Sequence, residues 1–465
     1  VHADLANAVT SAAEQASRRA RPQWVSGSLR VADCDGLALF ARSDAAERFF
    51  WERPAEAHQI AALGAEREIE TRGASRFADA ARAARELSSD LHLVAAEDGV
   101  GAQPFLVGGF AFGDEGSAAT EWAAFPPVRL VLPELLVTRR GEASRCTLTQ
   151  RIEPGAEVER ELALLRERLE RARRALAGAR LPEPQPAAHA PEFHTAADAP
   201  PARYHAGVEQ ALRSIASGDL EKVVLARGVR LTSAAGFPVA RVLDTLRRVH
   251  PSCASFAVGR PGATFLGAAP ERLLRLDGRR VETAALAGSA RRGRSPQEDA
   301  RLGRDLCESK KEQAEHAVVV RALREALSHA CDEIVVPEAP RLLRLQGIQH
   351  LETLLVGTLR GEASVLELAG RLHPTPAVAG APQQAALAWL AQQEGLERGW
   401  YAGAIGVVNH DGGGEFSVAL RSALLRGETA HCFAGAGIVA GSDPDAELRE
   451  TRLKLRAMLG ALVEL

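Results

Sequence analysis

The chain has 465 residues, 46% of them hydrophobic and 25% charged, an ordinary balance for a folded protein long enough for more than one domain. Its 57 basic and 60 acidic residues leave a formal net charge of -3 with no dominant basic block, which argues against nucleic acid as a partner. Six scattered cysteines (Cys34, Cys146, Cys253, Cys307, Cys331 and Cys432) form no CxxC pair, so a reducing cytoplasm is expected and neither structural zinc nor a disulfide scaffold is.

In chain order, the opening VHADLANAVTSAAEQ lacks an uninterrupted apolar core for export, and no later run of 18 uncharged apolar residues marks a membrane span. The first 150 or so residues read as an antiparallel, strand-rich region, with LHLVAAEDG, FLVGGFAFG and VRLVLPELLVTRRG between turn residues. Residues 155–179 predict a helix laced with i,i+3 and i,i+4 charge pairs. The proline- and alanine-rich stretch 181–200 predicts a linker or irregular crossing.

Helices and strands then mix. YHAGVEQALRSIASGDLEK predicts a helix leading into the strand KVVLARGVRL, opened by Lys222. Burial there would lower the lysine pKa and let the amine accept a proton; the alternative is a strand-end ammonium in solvent. VARVLDTLRRVH reads as helix, and CASFAVGR and ATFLGAAPERLLRLDGRRVETAALAG as strands joined by turns. Glu271 enters one of these strands, either as a partly buried proton donor or as surface charge. PQEDARLGRDLCESKKEQAEHAVVVRALREALSHA predicts a long helical stretch with a break, carrying Glu312 and Glu315 at i,i+3 spacing.

His350 lies in GIQHLETLL, as a polar contact or a packed core histidine, and Thr375 in the rigid loop LHPTPAVAG. Tyr401 precedes GAIGVVNHDGGGEFSVALRSALLRG, a hairpin signal with HDGGG as its turn. Strand alternation places Glu415, Ser417, Ala419 and Arg421 on one face. Arg421 in so apolar a run needs an anion, from a substrate carboxylate or from a structural salt bridge. HCFAGAGIVAGSDPDAELRETRLKLRAMLGAL predicts a strand, a glycine-rich turn around Gly435 and Gly437 with open N–H groups, a Ser442/Asp443 cap and a last helix. That helix carries Glu447 and Glu450, again i,i+3, and Lys454.

If the two acidic helices converge, four carboxylates face one another and need a cation between them; hard oxygen donors suit Mg2+. The alternative is two ordinary charged helix faces. Composition and spacing reach a mixed α+β protein with a candidate Mg2+ site, and no substrate.

At these positions the sequence resembles the chorismate-utilising enzymes, nearest to their isochorismate synthase branch of the menaquinone type. LEKVVLAR, APERLLRL, ETAALAGSARRG, SKKEQAEHAVVV, IQHLET, LHPTPAVAG, RGWYAGAIGVV, EFSVALRSALL and AGAGIVAGSDPDAELRETRLK carry the resemblance in family order from about 205 to 460. VGGFAFG and EWAAFPPVRLVLP extend it less sharply into the first part. It implies an α+β, anthranilate-synthase-like fold, with large antiparallel sheets and flanking helices around a cleft. Residues 1–195 would form an N-terminal strand-rich region and linker, packed on the same unit as a chorismate-binding catalytic region at 196–465.

The resemblance also assigns roles. Lys222 matches the base that activates water, and Glu271 the acid that assists departure of the C4 hydroxyl of chorismate. Glu315 and Glu450 match the glutamates nearest Mg2+, with Glu312 and Glu447 as outer or water-mediated ligands. Tyr401, Arg421 and the N–H groups around Gly435 and Gly437 match carboxylate contacts, with Lys454 in support. His350 and Thr375 match pocket residues. Gly288 and Ser289 match the family's AGT segment, with serine here in place of threonine. Ammonia-using relatives have glutamine where Lys222 stands, so the implied nucleophile is water. A glutamine amidotransferase subunit is then not expected, and the implied state is a cytoplasmic monomer. Salicylate synthases keep the lysine and go on to eliminate pyruvate; their PIAGTR differs from AALAGSA here, which favours isochorismate release. A protein that only binds metal through its acidic cluster, without catalysis, is the alternative from another class.

Overall fold

The computed structural model describes residues 2–94, 104–115, 120–181 and 192–463. Among them the apolar runs assemble into two sheets, of 13 and 10 strands, with helices flanking them. The strands pair antiparallel except for Gln23–Val31 with Leu91–Val94, which run parallel. An apolar core joins the sheets: Phe49, Trp51, Phe256 and Phe265 from the larger meet Phe110, Val281, Leu355 and Phe416 from the smaller. Both sheets draw strands from distant parts of the chain. Arg48–Arg53 pairs with Ala254–Arg260 in the larger, and Pro104–Phe110 with Ala404–Asn409 in the smaller.

Local signals set the helices. Leu165 and Leu169, four apart, bury one face of Val158–Leu176, and the charge pairs stay outside. The expected break in the long acidic stretch falls at Ser309, whose extended backbone ends Pro296–Glu308 and whose hydroxyl caps Lys310–Ser328 at the Glu312 N–H. Asp443 caps Pro444–Val463 by accepting from the Ala446 N–H at 2.8 Å. The hairpin Ala404–Asn409/Gly414–Val418 forms where the HDGGG turn places it.

Four expectations need correction. Among the described residues the first part holds three α-helices besides its strands: His2–Arg19, Gly36–Arg42 and Arg76–Ser89. His194–Ala197, inside the expected linker, adds as an edge strand to Lys222–Thr232, because extended backbone beside an open edge gains a ladder of hydrogen bonds. Residues 182–191 of that stretch, and 95–99 of LHLVAAEDG, lie outside the described residues. Gly435 and Gly437 sit within the strand Thr429–Ile438, paired to Ala226 and Val224, not in a turn; the turn starts after them. Arg421 does not share a strand face with Glu415. The strand Gly414–Val418 ends before it, and the chain crosses to the other sheet with Arg421 at φ +47. No helix among the described residues is long and apolar enough to cross a membrane.

Candidate active site

Two sheet-to-sheet crossings lie side by side. One runs from Ala263–Ala269 to Arg272–Asp277 and carries Glu271; the other runs from Gly414–Val418 to Ser422–Arg426 and carries Arg421. They are bonded to the neighbouring chain ends, Val418 N–H to the Glu271 carbonyl at 3.0 Å and Ala268 N–H to the Arg421 carbonyl at 3.1 Å. A crossing strand breaks its alternation, so both side chains turn into one small cavity between the sheets. The same cavity is lined by Gly288, Ser289, Glu315 and His350, and on its other side by Tyr401, Gly435, Gly437 and Lys454. Apolar Val224, Leu286, Ala377 and Val378 fill much of the rest. Thr375 is not part of the lining; it is buried behind it, its carbonyl accepting from the Val378 and Ala379 N–H groups.

Each polar group here has a distinct state. Glu271 is 2% exposed, and its Oε1 has no hydrogen-bond partner. Burial drives its pKa up to about 8, against the pull of Lys222 and Lys454, so at neutral pH it holds its proton. Arg421 is buried with no carboxylate at ion-pair distance among the described residues; its neighbours are Cys253 Sγ at 3.9 Å and His350 Nε2, to which it donates at 2.8 Å. An arginine only donates, so the His350 proton sits on Nδ1, which faces Ser289 Oγ at 3.0 Å. Burial, and then the Arg421 and Lys454 charges, hold His350 well below the usual histidine range, hence neutral. Tyr401 stacks on Phe433 with centroids 5.1 Å apart, and burial raises its phenol pKa.

The Lys222 side chain is fully buried and its Nζ lies 2.9 Å from Glu315 Oε1, an ion pair; Glu315 lines the cavity, and Lys222 itself is not part of the lining. Burial would raise the Glu315 carboxyl, but Lys222 outweighs it, with help from Lys454 and Lys311, and leaves that carboxyl below its ordinary value. Gly437 makes room for this pair: a Cβ there would lie 2.8 Å from Lys222 Cε and closer still to Glu315 Oε1. From Phe433 onward the strand Thr429–Ile438 pairs only with Lys222–Thr232, so its other edge faces the cavity. Lys454 uses that edge, donating to the Gly435 carbonyl at 2.9 Å while pairing with Glu450 at 2.8 Å.

The two acidic helices do converge. Glu312 and Glu315 start one, Glu447 and Glu450 the other, and Lys311 bridges them, 3.2 Å from Glu312 and 2.7 Å from Glu447. Burial raises the Glu312 and Glu447 carboxyls, and like charge from Glu315 and Glu450 adds to it. Gly288, at φ +80 in a bulge opposite His350, brings the Ser289 N–H to 3.0 Å from Glu312 Oε2. Among the described residues no three acidic, histidine or cysteine side chains converge as a preformed metal cage. The donors are nevertheless all oxygen, crowded and mutually repelling, a chemistry that suits a hard divalent cation; in this arrangement lysine ammoniums hold them.

Two residues not singled out from the sequence matter. Lys311 stands directly before Glu312 in SKKE, and its adjacency was the available signal. Arg398 is buried, pairs with Glu394 at 2.6 Å, and donates to the carbonyls of the cavity residues Val224 and Val378. Only its i,i+4 glutamate hinted at it.

A buried guanidinium without its own anion, a buried carboxyl whose pKa burial raises and a lysine-balanced acidic set are features that suit a small anionic ligand. The chain belongs to the chorismate binding enzyme family, matching it over residues 11–463. It is 38% identical over 458 residues to the salicylate biosynthesis isochorismate synthase of Pseudomonas aeruginosa, covering 96% of this chain and 92% of that one. It is 33% identical to the isochorismate synthase MenF of Bacillus subtilis, covering 94% and 93%. The solved structure of MenF, the menaquinone-specific isochorismate synthase from Escherichia coli, superposes with a TM-score of 0.78 at 26% identity, covering 98% of this chain and 100% of that one. The expected α+β, anthranilate-synthase-like architecture is thus the observed one.

Proposed function

We propose that this protein is an isochorismate synthase, converting chorismate reversibly to isochorismate with Mg2+. Lys222 takes a proton from water as its oxygen bonds to C2 of the ring. The ring double bonds shift, the C4–O bond breaks, and the departing hydroxyl takes the proton of Glu271. One water enters and one leaves, and the reverse reaction uses the same groups with their protons exchanged. The observation that carries this reading is Glu271, buried with Oε1 unpartnered in a cavity that Glu315 also lines, with Lys222 paired to that Glu315 behind the lining.

The other residues bind and orient. Arg421, lacking a protein carboxylate, takes a substrate carboxylate, with Tyr401 and the open backbone edge at Gly435 and Gly437 around it. Neutral His350 and Ser289 present a fixed polar pair to the ring, Gly288 lets the backbone approach, and Thr375 supports the loop behind. Glu315 and Glu450 would hold Mg2+, with Glu312 and Glu447 outside them. Glu315 would then be shared between the ion and Lys222, 2.9 Å from its Oε1, and the ion would supply positive charge to the acidic set. Lys454 keeps its charge, since Glu450, Glu315 and Glu447 together outweigh burial, and steadies both halves.

A water nucleophile needs no amidotransferase subunit, and the interleaved strands favour one catalytic unit, read here as a cytoplasmic monomer. Relatives named for salicylate biosynthesis and for menaquinone both align along nearly the whole chain, so the menaquinone preference gains no separate support and the proposal stops at isochorismate. The test is product identification from purified protein with chorismate and Mg2+, with an EDTA control. Isochorismate alone, formed reversibly and lost with EDTA, is expected. Salicylate with pyruvate would replace the reading by salicylate synthase, and no conversion by folded, metal-loaded protein would leave only a metal-binding role.

A further inference from the structure

Outside the cavity lies a wider cleft that shares Ser289 with it. Its floor holds Glu312, Glu447 and Glu450, already met by Lys311 and Lys454. One wall carries Arg291, Arg292 and Arg294; the other carries Arg449, Arg452 and Arg456. Seven basic and four acidic side chains line it, and with Asp299 beside Arg292 and Asp443 beside Arg449 counted in, a small excess of positive charge remains in a protein whose net charge is -3.

The two walls are built differently. Arg291 and Arg292 are tied to Glu298 and Asp299 at the start of the next helix, which fixes that wall. Arg449, Arg452 and Arg456 stand at i, i+3 and i+7 on one face of Pro444–Val463, and Arg452 and Arg456 are exposed with no acidic group at ion-pair distance among the described residues. Like charges at these spacings disfavour a helix, and only Arg449 has an acidic neighbour, Asp443 at 3.9 Å; Arg452 and Arg456 have none among the described residues. The unpaired Arg452 and Arg456 line the same cleft as Arg294 and are open to an anion from outside.

We propose that this arginine-walled cleft is a capture site for the dicarboxylate substrate, which meets it before passing Ser289 into the cavity. The proposal rests on the function proposed above. Clefts of one sign raise the local concentration of an oppositely charged ligand, and salt weakens the effect. Arg452 and Arg456 carry that role without reaching the reacting atoms.

The test is kcat/KM for chorismate against ionic strength, in wild type, R452E/R456E and R452K/R456K, with thermal unfolding of each as the folding control. Wild-type kcat/KM is expected to fall as salt rises. The glutamate variant should be about tenfold lower at low salt and converge on wild type near about 0.5 M salt, while the lysine variant keeps the wild-type slope. Turnover that is indifferent to salt, or a glutamate variant equal to wild type or weaker by the same factor at every salt, would overturn the capture site and leave the proposed function standing. A wild type that does not turn chorismate over removes both.

Discussion

The two halves of the site are built on opposite physical terms. At the sheet crossings, Glu271, Arg421, His350 and Tyr401 are enclosed, and their protonation is set mainly by the removal of water. At the helix starts, Glu312, Glu447 and Glu450 are matched by lysines beside an open cleft, and burial and paired charge contend. In the proposed function the first half is preorganised for the reaction, and the second is a set of charges to be redistributed when a cation or an anion arrives. Lys222 and Glu315 join the halves, a buried pair with one member from the sheet and one from a helix.

The contrast can be broken most sharply at Glu271. Glu271→Gln keeps shape and removes the proton donor, and kcat should fall by about 10²- to 10⁴-fold with the unfolding midpoint preserved or raised. Retained turnover in a steady-state assay would mean the enclosed half is not where the acid sits. Next comes Lys222→Ala, which leaves Glu315 buried and unpaired. It should destabilise the fold by about 3–5 kcal/mol in urea titrations, and Lys222→Ala/Glu315→Ala by less than the sum of the single changes. Additive losses would show that the two do not act as a pair.

A pH series separates the halves further. Glu271 has its pKa raised from 4.5 to about 8, so the native state keeps a proton that the unfolded chain gives up. Its contribution is fully present below 4.5 and is lost as pH rises toward 8. Wild type should therefore lose stability relative to Glu271→Gln across that window, and wild-type kcat should decline above about 8 as the acid ionises. Parallel stability curves for the two proteins would refute this assignment. The smallest effect belongs to the open half. Lys311→Met, measured in EDTA, should lower stability by about 1–3 kcal/mol, because it leaves the buried Glu447 carboxyl without its bridge while Lys311 itself is partly exposed. A loss several times larger would place Lys311 with the enclosed groups.

Legibility followed the same division. Glu312/Glu315 and Glu447/Glu450 were readable because helical spacing is local, and the Ser309 break and Asp443 cap needed only neighbouring residues. The resemblance then named Glu271 and Arg421, but strand periodicity misplaced Arg421, and its glycine-rich neighbour was read as a turn where a strand runs. A run of alternating residues does not announce where a chain leaves one sheet for another.

What the sequence determined by itself was the element inventory of the second half, the acidic pairs and the family pattern, all set by spacing along the chain. Only the tertiary structure decided that Lys222 is enclosed against Glu315, that Glu271 has no partner for its proton, that Lys311 bridges two helices and that Arg421 has no protein carboxylate. Those facts depend on which water is excluded and which charges meet, and both are fixed when the crossings and helix starts close around one cavity.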